Sequence, residues 1–165
     1  MCWLLKLFGI GKEKSPSDWL PREAITAVDA NLVVDLSKLI PNLSEPPKVW
    51  IPPVPSTGSM LPNFSHEHNN ILIAGANEAD HAKLIRHLEE GDIAVYRVMQ
   101  NEQDDPADYS KPNAINGYAI HRIIGMGIDG EGKIVYTFRG DNNPIKDPYP
   151  VYSKNLLWIS IGTIF

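Results

Sequence analysis

A chain of 165 residues is long enough for one domain with a substantial core and short for two. Its formal net charge of -5 and the lack of any long Lys/Arg run exclude a basic surface for phosphate backbones, so we expect no nucleic-acid partner. The single cysteine, Cys2, excludes an internal disulfide and a cysteine-based zinc site.

The first residues form a short apolar segment, 2–10, which Lys6 interrupts. It is shorter than the roughly 20 residues needed to cross a bilayer, so we expect no transmembrane anchor. It also lacks the basic region and the A-x-A-like site of a secretory signal. In a helix, Trp3 and Leu7 would share an apolar face, which predicts docking on a protein or on a membrane surface. The compartment stays open between cytoplasmic, membrane-peripheral and virion-associated.

Polar and Pro-containing residues after this tip predict a linker. We therefore divide the chain into a tip and linker at 1–20, an N-terminal appendage at 21–47 and a main domain at 48–165. In the appendage, apolar residues over 25–39 follow a helical spacing and favour a helix, although 31–36 also alternate as in a strand. Prolines end this element, and 48–55 are expected to be extended.

The rest of the chain is predicted to be mainly β. An apolar run at 71–74 and a helix at 78–90, ended by Gly91, indicate a helical insertion within 63–90. Runs rich in Val, Ile, Tyr and Phe, bounded by turn residues, predict strands at 92–99, 118–125, 133–139 and 156–165. The polar stretch 101–116 indicates a long surface excursion between two strands.

The first motif with chemical content is the run STGSMLP at 56–62. Gly58 permits an uncommon backbone conformation and Pro62 closes the bend, so the Ser59 hydroxyl is expected to project from a tight turn. The run resembles the SGSMxP box of signal peptidase I and of the repressor-type self-cleaving proteases. A short motif of this kind also occurs by chance, and further motifs are needed to support the resemblance.

Three more motifs follow in the order of that family. They are GDIAVY at 91–96, YAIHRIIG at 118–125 and RGDNN at 139–143. The chain is therefore identified as similar to the signal peptidase I and repressor-type serine peptidase superfamily over 56–147. The resemblance implies a mainly β, coiled-sheet catalytic domain, here with a short N-terminal appendage and a helical insertion after Ser59.

Position 121 distinguishes two branches of this superfamily. Bacterial signal peptidases and the repressor-type proteases have a lysine there, whereas the archaeal and endoplasmic-reticulum signal peptidases have a histidine. This chain has His121. A serine hydroxyl needs an adjacent base, and imidazole accepts a proton near neutral pH. The resemblance thus implies Ser59 as the nucleophile and His121 as its general base.

For the carboxylate that orients the histidine, the resemblance implies Asp147, with Asp141 as the second choice or as a residue that braces the site. Both are also the kind of aspartate that a polar turn contains without catalytic purpose. For the oxyanion, the resemblance implies the backbone N–H of Ser59 and a hydroxyl that is supplied here by Thr57.

Substrate is expected to bind as an added extended strand beside the Ser59 segment. Met60 and Ile120 would form an apolar pocket floor or belong to the core. We expect no cofactor. The HEH run at 66–68 lacks a third ligand at matching spacing, so we also expect no metal site.

The expected function is therefore that of a serine endopeptidase that transfers an acyl group to Ser59. Signal peptidases are normally tethered by a membrane span, so removal of secretory signals is not the expected role, and a processing protease of a virus or mobile element is one alternative. Another is a catalytically inactive peptidase-fold protein that serves as an assembly or virion structural component. A self-cleaving repressor is disfavoured, because no Ala-Gly or Cys-Gly bond precedes Ser59 and no DNA-binding half is present.

Overall fold

The computed structural model of the chain describes residues 25–28, 31–38, 42–98 and 117–164. The predicted apolar tip and linker at 1–20 and the predicted surface excursion at 101–116 lie outside the described residues. In the part of the chain that is described, no helix has the length and apolar character required to span a membrane.

The first described elements are two short strands, β1 (Ile25–Val28) and β2 (Asn31–Val34), paired as an antiparallel hairpin. A 3-10 turn at Leu36–Lys38 follows. The helix predicted over 25–39 is therefore wrong where the structure describes this region. Its sequences, ITAV and NLVV, are rich in β-branched residues, which favour strands, and the alternation over 31–36 was the better guide.

A seven-stranded antiparallel sheet makes up the body of the molecule. Its strands are β3 (Lys48–Trp50), β4 (Asn69–Ala74), β5 (Ile93–Arg97), β6 (Tyr118–Ile128), β7 (Ile134–Arg139), β8 (Val151–Tyr152) and β9 (Leu156–Ile164). They lie in the order β3-β4-β9-β5-β6-β7-β8. Helix α1 (Glu78–Arg86) connects β4 to β5, and a 3-10 turn at Ser153–Asn155 precedes β9. The prediction of a mainly β protein is confirmed at this level.

The four strands predicted in the second half correspond to β5, β6, β7 and β9, with ends that differ by a few residues. The apolar run at 71–74 was assigned to an insertion, but it belongs to β4, which pairs with both β3 and β9. Of the two elements predicted for the insertion within 63–90, only the helix therefore lies outside the sheet. That helix ends at Arg86 and not near residue 90, because the amides of His87 and Leu88 turn back to the carbonyls of Leu84 and Ile85.

Two apolar clusters hold these elements together. The larger one packs α1 against the sheet through residues such as Ile73, Leu84 and Phe138, all fully buried. The smaller one lies under the loop after β3 and joins Val54, Met60, Phe64 and Ile93, with Ile120 packed against it. Since the smaller cluster anchors the loop that carries Ser59, it positions the candidate site.

The buried carboxylate of Asp80 ties α1 to the segment before β3. Asn77 caps the helix by accepting a hydrogen bond from the Asp80 amide. The Asp80 carboxylate accepts hydrogen bonds from the amide and hydroxyl of Ser44 and from Lys83. The Ser44 hydroxyl, followed by Lys83, holds the pKa of Asp80 well below its usual range. The first turn of α1 is therefore fixed by an ionised side chain.

Candidate active site

Ser59 lies on a tight turn that follows an extended segment. The extended backbone is fixed by hydrogen bonds from Val54 N to His68 O and from Asn70 N to Pro52 O, each 2.9 Å long. At the turn Gly58 has a φ of 71°, in the left-handed region that favours glycine, as its position before the serine predicts. The buried side chain of Met60 then anchors the turn, so Ser59 is presented on a rigid support.

His121 lies on β6, opposite Ala94 of the neighbouring strand β5. Its Nε2 atom is 3.1 Å from the Ser59 hydroxyl oxygen, within hydrogen-bond distance of a serine that donates. The two residues are far apart in the sequence, and the fold brings them into contact. This is the contact that a nucleophile and its general base require.

Asp147 lies on the other side of the imidazole ring. Its Oδ2 atom is 2.6 Å from His121 Nδ1, and both side chains are mostly buried, with 13% and 12% of their surface exposed. The backbone amide of Asp147 donates to Phe138 O and holds the residue near the end of β7. When Nδ1–H donates to this carboxylate, Nε2 is left free to accept the proton of Ser59.

Asp141, the second candidate for the orienting carboxylate, contacts a different partner. It accepts hydrogen bonds from Arg122 Nε and Nη2, both at 2.8 Å, and from Asn63 Nδ2 at 2.6 Å. Arg122 also donates from Nη1 to Gly91 O. The structure therefore brings Asp147 to His121 and places Asp141 in a buried ion pair, which fits the bracing role that was its alternative.

The turn that contains Asp141 also holds the backbone of the turn that carries Ser59. The amide of Asn142 donates to Ser59 O at 2.8 Å, and its side-chain Nδ2 donates to Gly58 O at 3.1 Å. Gly140 lies so close that a Cβ atom there would be 2.6 Å from Ser59 O. The turn at 140–142 therefore fixes the backbone position of Ser59.

The other predicted site residues lie around Ser59. The Thr57 hydroxyl is 3.3 Å from the Ser59 hydroxyl, and Thr57 is exposed, so the two hydroxyls lie side by side at the surface. Met60 is only 3% exposed and belongs to the smaller apolar cluster, which supports the core alternative for this residue. Ile120 packs on that cluster and is half-buried, so it alone of the two reaches the surface.

A residue that the sequence did not single out completes the site. Tyr96 of β5 donates a hydrogen bond from its hydroxyl to Asp147 Oδ2 at 2.6 Å. Burial, followed by the charge of Asp147, raises the pKa of Tyr96, so the hydroxyl keeps its proton. Its sequence signal is weak, because a tyrosine in a buried strand is an ordinary core residue.

Two of the histidines outside the site, His68 and His81, have structural contacts. His81 lies between Leu156 O, 2.9 Å from its Nε2, and the amide of Gly75, 3.3 Å from its Nδ1. In the HEH run, His68 Nδ1 is 3.4 Å from the Ser65 amide. Among the residues that the structure describes, no group of three or more His, Cys, Asp or Glu side chains is arranged to hold a metal ion.

Comparisons with known proteins found no relative of this chain, so the contacts described above are the basis for inferring a function. No protein-family model, no curated protein and no solved structure matches the chain.

Proposed function

We propose that this protein is a serine endopeptidase of the signal-peptidase type, of the branch that uses histidine as the base. The observation that carries the proposal is the continuous set of contacts from Ser59 to His121 to Asp147, at 3.1 and 2.6 Å. A hydroxyl, an imidazole and a carboxylate in this order are the parts of a nucleophilic triad.

In the proposed reaction, the Ser59 hydroxyl gives its proton to His121 Nε2 while its oxygen attacks the carbonyl carbon of a peptide bond. Asp147 stabilises the imidazolium that forms. The same Nε2 then donates the proton to the leaving amine, and an acyl ester on Ser59 remains. In the second half, His121 takes a proton from water as the water oxygen attacks the ester carbon. The C–O bond to Ser59 then breaks, the acyl group leaves as a carboxylic acid, and His121 returns the proton to the Ser59 oxygen.

The negative oxygen that forms in each half needs hydrogen-bond donors. The backbone N–H of Ser59 and the hydroxyl of Thr57 are the proposed donors, since the Thr57 hydroxyl lies beside the nucleophile. Loss of one such donor typically costs about 2.7–4 kcal/mol of transition-state stabilisation.

The sheet offers a place for an extended substrate beside the base. From Tyr118 to Arg122, β6 pairs with β5 on one side, whereas its pairing with β7 runs from Arg122 onwards. Among the described strands, the second edge of β6 is therefore open next to His121. A peptide bound there as an added strand would gain main-chain hydrogen bonds and bring a peptide bond towards Ser59.

The direct test is labelling with a serine-reactive acylating probe, such as a fluorophosphonate. The wild-type protein is expected to form a covalent adduct, and Ser59→Ala is expected to abolish it because the nucleophilic oxygen is gone. Ser56→Ala is the matched control, since it removes an exposed hydroxyl from the same turn.

Two results would contradict the proposal. One is labelling that persists in Ser59→Ala. The other is a folded wild-type protein that reacts with none of several probes, which would favour the alternative of an inactive peptidase-fold protein with a structural or assembly role.

A further inference from the structure

We propose that Tyr96 is a positioning residue of the triad, whose hydroxyl holds Asp147 in place against His121. This inference rests on the proposed serine peptidase function. It assigns a role to a residue on β5, a strand that supplies none of the three triad residues.

The contacts centre on one oxygen atom. Asp147 Oδ2 is 2.6 Å from the Tyr96 hydroxyl and 2.6 Å from His121 Nδ1. Hydrogen bonds to an ionised acceptor are stronger than neutral ones, and two donors in different directions restrict rotation of the carboxylate. Without the Tyr96 hydroxyl, His121 Nδ1 would be the one remaining partner of Asp147 Oδ2 among the described contacts. In the proposed reaction the charge of that imidazole changes, so it is a less constant support than the hydroxyl.

The surroundings of Tyr96 keep its hydroxyl in this position. The side chain is 2% exposed, and its ring lies 4.4 Å, centroid to centroid, from that of Phe138. Phe138 also holds Asp147, since the Phe138 carbonyl accepts a hydrogen bond from the Asp147 amide. Donor and acceptor are thus held by the same residue of β7.

The backbone at Tyr96 is also unusual for the middle of a strand. The pairing of β5 with β9 shifts register between Val95 and Tyr96, an irregularity of the kind that redirects side chains near active sites. Because Tyr96 remains protonated through the neutral and alkaline range, it donates to Asp147 at every pH at which the base would act. The hydroxyl therefore acts as a constant support and not as a proton carrier.

The test compares Tyr96→Phe with Tyr136→Phe. Tyr136 is a buried tyrosine of the same core cluster, so its variant controls for the general loss of a core hydroxyl. Tyr96→Phe is expected to slow acylation of Ser59 by about tenfold, the equivalent of about 1.4 kcal/mol, whereas Tyr136→Phe leaves the rate unchanged. Equal rates in the wild type and Tyr96→Phe, or equal losses in the two variants, would overturn the proposal.

A double variant tests whether Tyr96 acts through Asp147. If it does, adding Tyr96→Phe to Asp147→Asn causes no further loss of acylation rate, because the hydroxyl has no carboxylate left to hold. Losses that simply add would show that Tyr96 acts elsewhere.

Proton NMR provides a readout that needs no enzymatic activity. The Nδ1–H of His121, bonded to a carboxylate, should give a low-field resonance that is identified by its absence in His121→Ala. We expect this resonance to shift or broaden in Tyr96→Phe and to stay in place in Tyr136→Phe. If the wild type does not react with acylating probes, the peptidase function fails, while the NMR comparison still decides whether Tyr96 positions Asp147.

If Tyr96→Phe does not fold, 3-fluorotyrosine at position 96 replaces it. This residue keeps the hydroxyl and changes its strength as a donor, so the His121 resonance should move. A resonance identical to that of the wild type would overturn the proposal.

Discussion

Asp141 and Asp147 lie in the same connection between β7 and β8, but their partners differ in charge. Asp141 pairs with Arg122, which is permanently charged, and both side chains are 6% exposed. Asp147 pairs with His121, the proposed general base. Removal of one partner from a buried ion pair destabilises a fold, whereas removal of a carboxylate that orients a catalytic imidazole lowers a reaction rate.

This difference predicts opposite effects for the two Asp→Asn substitutions. Asp147→Asn should lower the rate of Ser59 acylation by up to about 10⁴-fold with little change in stability, because the imidazole loses its orienting carboxylate. Asp141→Asn should lower the free energy of unfolding by about 3 kcal/mol, because the buried Arg122 loses the charge of the carboxylate that accepts from its Nε and Nη2. Urea unfolding and probe labelling measure the two quantities. A folded Asp141→Asn protein that loses more labelling than Asp147→Asn would reverse the assignment.

For single residues, the sequence predicts the contact between Ser59 and His121 better than it predicts the residues that hold His121 in place. Ser59 and His121 lie in motifs whose neighbours fix the local backbone, so their proximity was predictable from the resemblance. The choice between Asp141 and Asp147 depends on how a polar turn folds back over β6, and local sequence does not determine that path. The sequence signal of Tyr96 is weak, because only the partner of its hydroxyl distinguishes it from a core tyrosine.

Among the structural elements, the turn at 140–142 contacts the backbone of Ser59 directly. It bonds to the carbonyls of Gly58 and Ser59 and leaves no room for a side chain at Gly140. A substitution in this turn is expected to displace the backbone at Gly58 and Ser59. The distance from Ser59 to His121 would then change as well.

Gly140→Ala is accordingly expected to reduce labelling of Ser59 by at least about tenfold, since the new Cβ would meet Ser59 O at 2.6 Å and Asn143 Nδ2 at 2.8 Å. Gly130→Ala is the control, because a Cβ at that position meets no atom within 4 Å. Unchanged labelling in a folded Gly140→Ala protein would show that the turn does not set the geometry of the nucleophile.

Helix α1 gives a prediction for stability in acid. The pKa of Asp80 is depressed in the folded state, so its ionised form stabilises the fold. That contribution is fully present above the unfolded pKa of about 3.9 and is lost as the pH falls through the folded pKa. Asp80→Asn should therefore be less stable than the wild type at neutral pH, and the difference should shrink only in strong acid.

Urea unfolding of both proteins at neutral pH and at about pH 3 measures this difference. Glu78→Gln is the control, because it neutralises an exposed acid in the same first turn of the helix. A stability difference that disappears already at mildly acidic pH would contradict the assignment to Asp80.

The β1–β2 hairpin shows why some elements were predicted incorrectly. Over 25–34 the apolar residues fit both a helical and an alternating pattern, and each strand is only four residues long. Pairing between the two strands decides between helix and strand here. The spacing of apolar residues along the sequence does not contain information about that pairing.

For the whole molecule, the class of fold was predictable and the arrangement of strands was not. Alternating and β-branched residues mark β5, β6, β7 and β9 one by one. The position of β9 between β4 and β5 follows from packing between segments that are far apart in the sequence. No local pattern encodes such a pairing.

That position of β9 has a consequence for the order in which the candidate site assembles during synthesis. The Ser59 turn leads into β4 and His121 lies on β6, next to β5, but among the described strands β4 and β5 are joined in the sheet only through β9. β9 follows the other described strands in the sequence, so a ribosome produces the two halves of the candidate site before it produces the strand that joins them in the sheet. On the proposed function, we therefore expect a nascent chain to complete the Ser59–His121 contact only after β9 has been translated and has inserted into the sheet.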